Sequence, residues 1–321
     1  MKGSLLKAEL NRLLSRRFVQ ILAAVMIGAF AVTVAVTMAG STTPSAGDWA
    51  AAVSQARANN EVHQQLYDDC VAAHGPEATA LDRAKYPEQC RLVVEQPEDF
   101  LYDTYVFHTS IRPLVGFLAA YLALFGFLVG ATFIGAELAS GGTTNLLLWR
   151  PERVRVLGAK LAVLLGSVGV FSLVFSVLYV ATFYGIAKAT GYVGGVDADF
   201  FRQLALLVVR GLGLALMVTG ISFGIATVGR HTAAALGLLT AYAVVWEAGG
   251  RLVMEVLDYR AQEPWFLSTY VGAWMVGRLE YYFGYGEYGR IEWWHAAVVF
   301  GALVAVVLAA AFGTFRRRDL A

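Results

Sequence analysis

Few side chains in this sequence are equipped for chemistry, and many of them sit in one short polar stretch. Between two long apolar runs, residues 135–160 read GAELASGGTTNLLLWRPERVRVLGAK. Glu137, a Gly141-Gly142 pair with Thr143, Pro151 and the cations Arg150, Arg153, Arg155 and Lys160 all fall inside it. Such a set suits pairing with carboxylates or phosphates rather than breaking bonds. Two more charges, Arg210 and Glu247, interrupt apolar runs, and Cys70 and Cys90 can form one disulfide. The five lysines, at positions 2, 7, 85, 160 and 188, never end a G-x-x-x-x-G-K-[ST] phosphate cradle. Neither H-E-x-x-H nor a G-x-S-x-G elbow occurs. The chain therefore reads as a non-enzyme without catalytic residues, metal or cofactor of its own. Work driven by nucleotide hydrolysis would need a separate ATPase chain.

The elements that position these residues follow from hydropathy. The chain of 321 residues is 58% hydrophobic and 15% charged, against about 25% charged in soluble domains. Its 33 glycines fit a polytopic helical membrane protein. Residues 1–17 predict an amphipathic interfacial helix with Leu6, Leu10, Leu13 and Leu14 on one face. The apolar run Phe18–Ala39 exceeds the roughly 7–15 residues of a signal-peptide core, so it reads as an uncleaved first span, residues 18–40. Five further spans are expected near residues 113–135, 154–187, 203–228, 232–248 and 293–315. The fold class is all-α integral membrane with six transmembrane helices, five of them within residues 113–321.

Charge asymmetry sets the orientation. The N-terminus, the 137–160 loop, the turn at 229–231 and the C-terminus together hold thirteen basic residues against four acids. Residues 41–112 hold five basic residues against eleven acids. Both termini are thus expected in the cytoplasm and the 41–112 insert outside.

Within that insert a helix is expected from Asp48 to about Ala73. A Cys70–Cys90 disulfide there would close a loop worth about 3 kcal/mol in chain entropy. A metal site drawing on His74 and His63 is the competing reading, at poorer ligand spacing. Residues 257–294 concentrate Tyr281, Tyr282, Tyr285 and Tyr288 with Trp265, Trp274, Trp293 and Trp294. They read either as an interfacial aromatic belt or as a pair of short re-entrant helices broken near Arg278 and Gly284. Length favours the helices.

Antiparallel spans four and five allow an Arg210–Glu247 pair, for which Arg251 competes from i+4. Gly126 with Gly130, and Gly220 with Gly224, form small-xxx-small patterns suited to close helix contacts, including a dimer face.

The order Glu137-x-x-x-Gly141-Gly142-Thr143, Leu146-Leu147, Pro151-x-Arg153 and Lys160, placed between the second and third spans, resembles the cytoplasmic loop of type-2 ATP-binding-cassette (ABC) exporter permeases. The ending Phe315-Arg316-Arg317-Arg318-Asp319 and the six-span layout are similar too, whereas the 70-residue insert departs from compact members. The resemblance implies a bacterial cell-membrane permease subunit working by alternating access. It would pair with a second protomer, identical or sister, and bind two cytoplasmic ATPase subunits that carry ATP and magnesium. No nucleic acid is implied. Residues 136–153 would supply a coupling helix. In that reading the Gly-Gly pair breaks the chain, Pro151 restarts the next helix, and Arg153 and Arg155 meet either ATPase carboxylates or lipid headgroups.

Two other readings stand beside it. One is an ATP-independent secondary transporter or channel using Arg210 and Glu247, against which the lack of an inverted repeat weighs. The other is a non-transporting ABC-type sensor or assembly factor acting through the insert, a class that six spans fit poorly.

Overall fold

The fold is described from a computed structural model, which covers residues 2–75, 79, 85–86, 90–141, 152–284 and 287–317. Helix α1 (Lys2–Leu14) precedes α2 (Arg17–Ala39), and α3 (Ala46–Ala73) leads into a 3-10 turn at Pro97–Phe100. Three long helices follow: α4 (Phe107–Ala139), α5 (Arg153–Thr190) and α6 (Ala198–Gly229). Helix α7 (Thr232–Val256), short helix α8 (Leu267–Val276), strands β1 (Arg278–Gly284) and β2 (Glu287–Glu292) and helix α9 (Trp293–Arg317) complete the chain. Among the described residues six helices, α2, α4, α5, α6, α7 and α9, are long and apolar enough to cross a membrane, in register with the sequence expectation.

The chain divides into two compact units. One comprises Met1–Phe30, Arg112–Tyr179 and Ala198–Ala321; the other comprises Ala31–Ile111 and Val180–Asp197.

In the first unit small residues set the helix spacing. A Cβ on Gly130 would stand 2.8 Å from the Thr219 carbonyl of α6, and one on Gly126 would strike the Thr219 hydroxyl. On α6 itself, a Cβ on Gly224 would meet Val307 of α9 at 2.5 Å, whereas Gly220 has Val304 only at 3.9 Å. The glycine patterns therefore serve packing within the chain, α4 on α6 and α6 on α9, rather than the dimer face also considered. Between α6 and α7, Arg230 adopts φ +59. The ring of His231 then caps α7 by accepting from the Ala233 amide at 3.0 Å.

The segment Tyr242–Gly250 of α7 is wound as a π-helix. Its wider turn lets residues five apart meet, and the Tyr242 hydroxyl donates to Glu247 Oε2 at 2.6 Å.

Residues 257–294 correct the expectation of paired re-entrant helices. Among the described residues between Leu257 and Glu292, α8 is helical beyond a 3-10 turn at Glu263–Trp265, and the tyrosine-rich part is an antiparallel β-hairpin. Its register pairs Arg278 with Glu292, Leu279 with Ile291 and Tyr282 with Tyr288. Aromatic residues alternating about a turn suit a pleated surface better than a helix, and cross-strand aromatic pairs stabilise it. Rings of Tyr282 and Tyr288 lie 5.3 Å apart, and Gly289 leaves room for the Tyr281 ring. The all-α expectation thus gives way to a helical protein carrying one hairpin.

In the second unit, α3 starts at a capping box. Asp48 N donates to Ser45 Oγ (3.3 Å), and Ser45 N donates to Asp48 Oδ2 (2.8 Å). The Cys70–Cys90 disulfide is formed, with Cα atoms 5.8 Å apart. That takes both sulfurs from any metal reading: His74 Nδ1 donates to the Cys70 carbonyl at 2.9 Å, and His63 pairs with Glu95 at 3.5 Å. Asn60 holds both backbone groups of Glu95, at 2.9 and 2.8 Å, which pins the returning chain along α3. Trp49, Phe100 and Tyr192 close a small core over Ala52, Leu101 and Val106.

Candidate functional site

The densest polar site of the first unit is a buried charge cluster built by α1, α4 and α5. Lys160 Nζ donates to Glu9 Oε2 at 2.7 Å and to both Glu137 oxygens at 2.9 Å. The Lys160 and Glu9 side chains are 1% exposed and Glu137 is 7% exposed. Arg12 bridges the two carboxylates at 3.1 and 3.3 Å. Arg16 reaches Glu137 Oε2 at 3.4 Å and donates to the Thr132 carbonyl at 2.9 Å. The Phe133 ring lies beneath two of these cations, 4.9 Å from the Arg16 guanidinium and 5.5 Å from Lys160 Nζ.

Local structure explains the arrangement. Glu137 sits in the last turn of α4, where the helix dipole disfavours a carboxylate, so cations must offset both burial and dipole. The helix ends at Ala139, and Gly141 just beyond it has a φ of +72, a conformation that suits glycine past a helix terminus. Lys160 lies two turns inside α5 and can snorkel its charge only toward the cluster, since its stem is buried. Glu9 and Leu13 form the inward stripe of α1, with Leu13 1% exposed. Burial draws the Arg16 guanidinium below its ordinary range, and the Glu137 carboxylate opposes that shift. Three cations face two carboxylates, and the excess charge has an outlet to solvent at Arg12, 43% exposed.

The polar stretch is thus not a uniform docking surface. Its two ends, Glu137 and Lys160, are spent inside the protein. Arg155 is exposed and held by Glu152 at 2.6 Å, and Arg153 opens α5. Gly142, Thr143, Arg150 and Pro151 lie outside the described residues. Glu9, Arg12 and Arg16 were not marked as site residues by the sequence. The available signal was Glu9 itself, one turn before Leu13 and so about 40° from the apolar stripe of α1.

A second ionic site decides the partner of Glu247. Arg251 takes it, with Glu247 at 3.6 Å and Glu263 at 3.2 Å, while stacking 4.1 Å over the Phe266 ring. It also donates to Ser268 Oγ at 2.9 Å. Arg210 does not pair with Glu247. Its side chain donates to the Met275 carbonyl at 3.3 Å, and its own carbonyl accepts from Trp274 Nε1 at 2.7 Å. The competition is settled by helix spacing, since i and i+4 share a face whereas Arg210 is drawn toward α8.

Fold and charge placement together define a multi-pass helical membrane protein with one disulfide. No protein-family model matches the chain, and no curated protein is significantly similar to it.

Proposed function

We propose that the chain is the membrane-embedded permease subunit of an ABC exporter of the bacterial cell membrane, worked by separate cytoplasmic ATPase subunits and paired with a second permease protomer. The observation that carries this reading is the cluster of Glu9, Glu137 and Lys160. It joins the helix before residues 142–151, the helix after them and the N-terminal helix at one end of the first unit. A force applied to that segment by a partner would move α1, α4 and α5 as one body, because separating them would strand buried charge. Thirteen basic residues against four acids support a cytoplasmic side for that end under the positive-inside rule. The absence of a phosphate cradle from the sequence leaves the energy source to a partner. The wrapped arginines serve stiffness in this account, and contact falls to the residues between Gly141 and Arg155.

The test is purification of the tagged full-length chain from its native membrane in mild detergent, followed by an assay of magnesium-dependent ATP hydrolysis. The reading expects an ATPase to accompany the chain and to be lost on Arg153→Glu with Arg155→Glu, but retained on Arg260→Glu in the 257–294 segment. Equal retention in both variants, or a folded chain without ATP hydrolysis, would sink it.

A further inference from the structure

The two sides of α1 are treated differently. Glu9 and Leu13 are buried, while Leu6, Leu10 and Leu14, at 43%, 38% and 55% exposed, border an open apolar groove. The groove has a volume near 1080 Å³ and lies between α1, α2 and α5 within the first unit. Ile27 and Phe30 form its wall on α2, and α5 contributes a row from Ala162 to Leu178. The sixteen helical steps from Ala162 to Leu178 span about 24 Å, so the groove is long. Every lining side chain is apolar except Ser167 and Lys7, and Lys7 lies on α1. Gly166 opens the floor, with nothing within 4 Å of where its Cβ would be.

A long groove whose polar side chains are Ser167 and Lys7 leaves most hydrogen-bonding groups of a sugar or peptide backbone unmet. It can take an acyl chain. The groove's one cation, Lys7 on α1, supplies what a headgroup phosphate needs, at the level where an amphipathic helix meets lipid headgroups. We infer that this groove is a binding site for one anionic phospholipid, with an acyl chain along α5 between α2 and α1 and its phosphate on Lys7. The lipid would cover the flank of α1 opposite Glu9. It would thereby hold that helix against the charge cluster from the side the protein leaves bare.

Native mass spectrometry of the detergent-solubilised full-length chain tests this, titrating phosphatidylglycerol and phosphatidylcholine of identical acyl chains. Phosphatidylglycerol should bind about fivefold more tightly, the equivalent of ~1 kcal/mol for one cation at a lipid surface. Lys7→Gln should erase the preference, and Gly166→Phe, or the milder Gly166→Leu, should remove the adduct of either lipid. Glycerol phosphate without acyl chains should not compete. Equal binding of the two lipids by the unaltered chain, or an adduct that survives both Gly166 variants, would overturn the site. So would disulfide-linked dimers of Val170→Cys in vesicles, since the native cysteines are already paired and such dimers would show a second copy seated in the groove.

Discussion

Lys160 and Glu9 are separated by 151 residues in sequence and by 2.7 Å between Nζ and Oε2, both at 1% exposure. The N-terminal helix is therefore fixed by a charge on α5, with Glu137 of α4 as the third member. Burying one partner alone would be prohibitive, so the three positions constrain one another. That interdependence makes the cluster open to a double-mutant cycle.

Removing Lys160 as Lys160→Met leaves two buried carboxylates facing only Arg12 and Arg16. Breaking a buried ion pair in this way costs about 3–5 kcal/mol. Pairing it with Glu9→Gln should restore part of the loss, with a coupling of about 1–3 kcal/mol. Equilibrium unfolding in mixed micelles of the two single variants and the double variant measures it. Additive losses would mean that the contact contributes no coupling.

Gly130→Ala forces a methyl group against the Thr219 carbonyl of α6. Overpacking of this kind costs about 1–3 kcal/mol. Gly116→Ala on the same helix, where nothing lies within 4 Å, should be neutral or slightly stabilising. Melting temperatures of the two variants in one detergent should separate accordingly.

Replacing Cys70 and Cys90 together by serine should lower the stability of the insert by about 3 kcal/mol on the loop-entropy account. The six spans should be untouched. Limited proteolysis with mass mapping should show new cuts in residues 75–96 and an unchanged pattern within α4 to α6.

Hydrogen bonds from the Ser45 amide and hydroxyl hold the Asp48 carboxyl below its ordinary value of 3.8. A depressed folded-state pKa means that the cap contributes fully above 3.8. Its contribution is lost as pH falls below 3.8 and through the depressed value. Amide exchange at Trp49 and Ala50, corrected for its intrinsic pH dependence, should therefore accelerate only below that point. Asp48→Asn should flatten the profile.

Much of the fold was legible because bilayer thickness forces long apolar runs, and α2, α4, α5, α6, α7 and α9 declare themselves that way. The α3 helix, expected from Asp48, and the cysteine pair at its spacing were legible, whereas the Ser45 cap was not singled out. The hairpin was not, because Tyr and Trp clusters mean an interfacial belt as readily as a strand; only cross-strand pairs such as Tyr282 with Tyr288 decide it. The π-helix at Tyr242–Gly250 leaves no periodic trace in so short a segment. The cluster was half legible. Glu137 and Lys160 stood out as charges beside apolar runs, but the burial of Glu9 depends on how α1 rolls about its axis. Its four leucines suggest one roll, and the ion pairs impose another.

The proposed permease role requires a partner ATPase to act through the segment between Gly141 and Arg155. A photo-crosslinking amino acid at position 155 of the full-length chain, irradiated in native membranes with and without magnesium and ATP, tests it most directly. One major adduct is expected, to a protein carrying a phosphate-binding loop, with a yield that changes on nucleotide addition. Adducts to lipid alone from a correctly folded chain, with no nucleotide response, would contradict it.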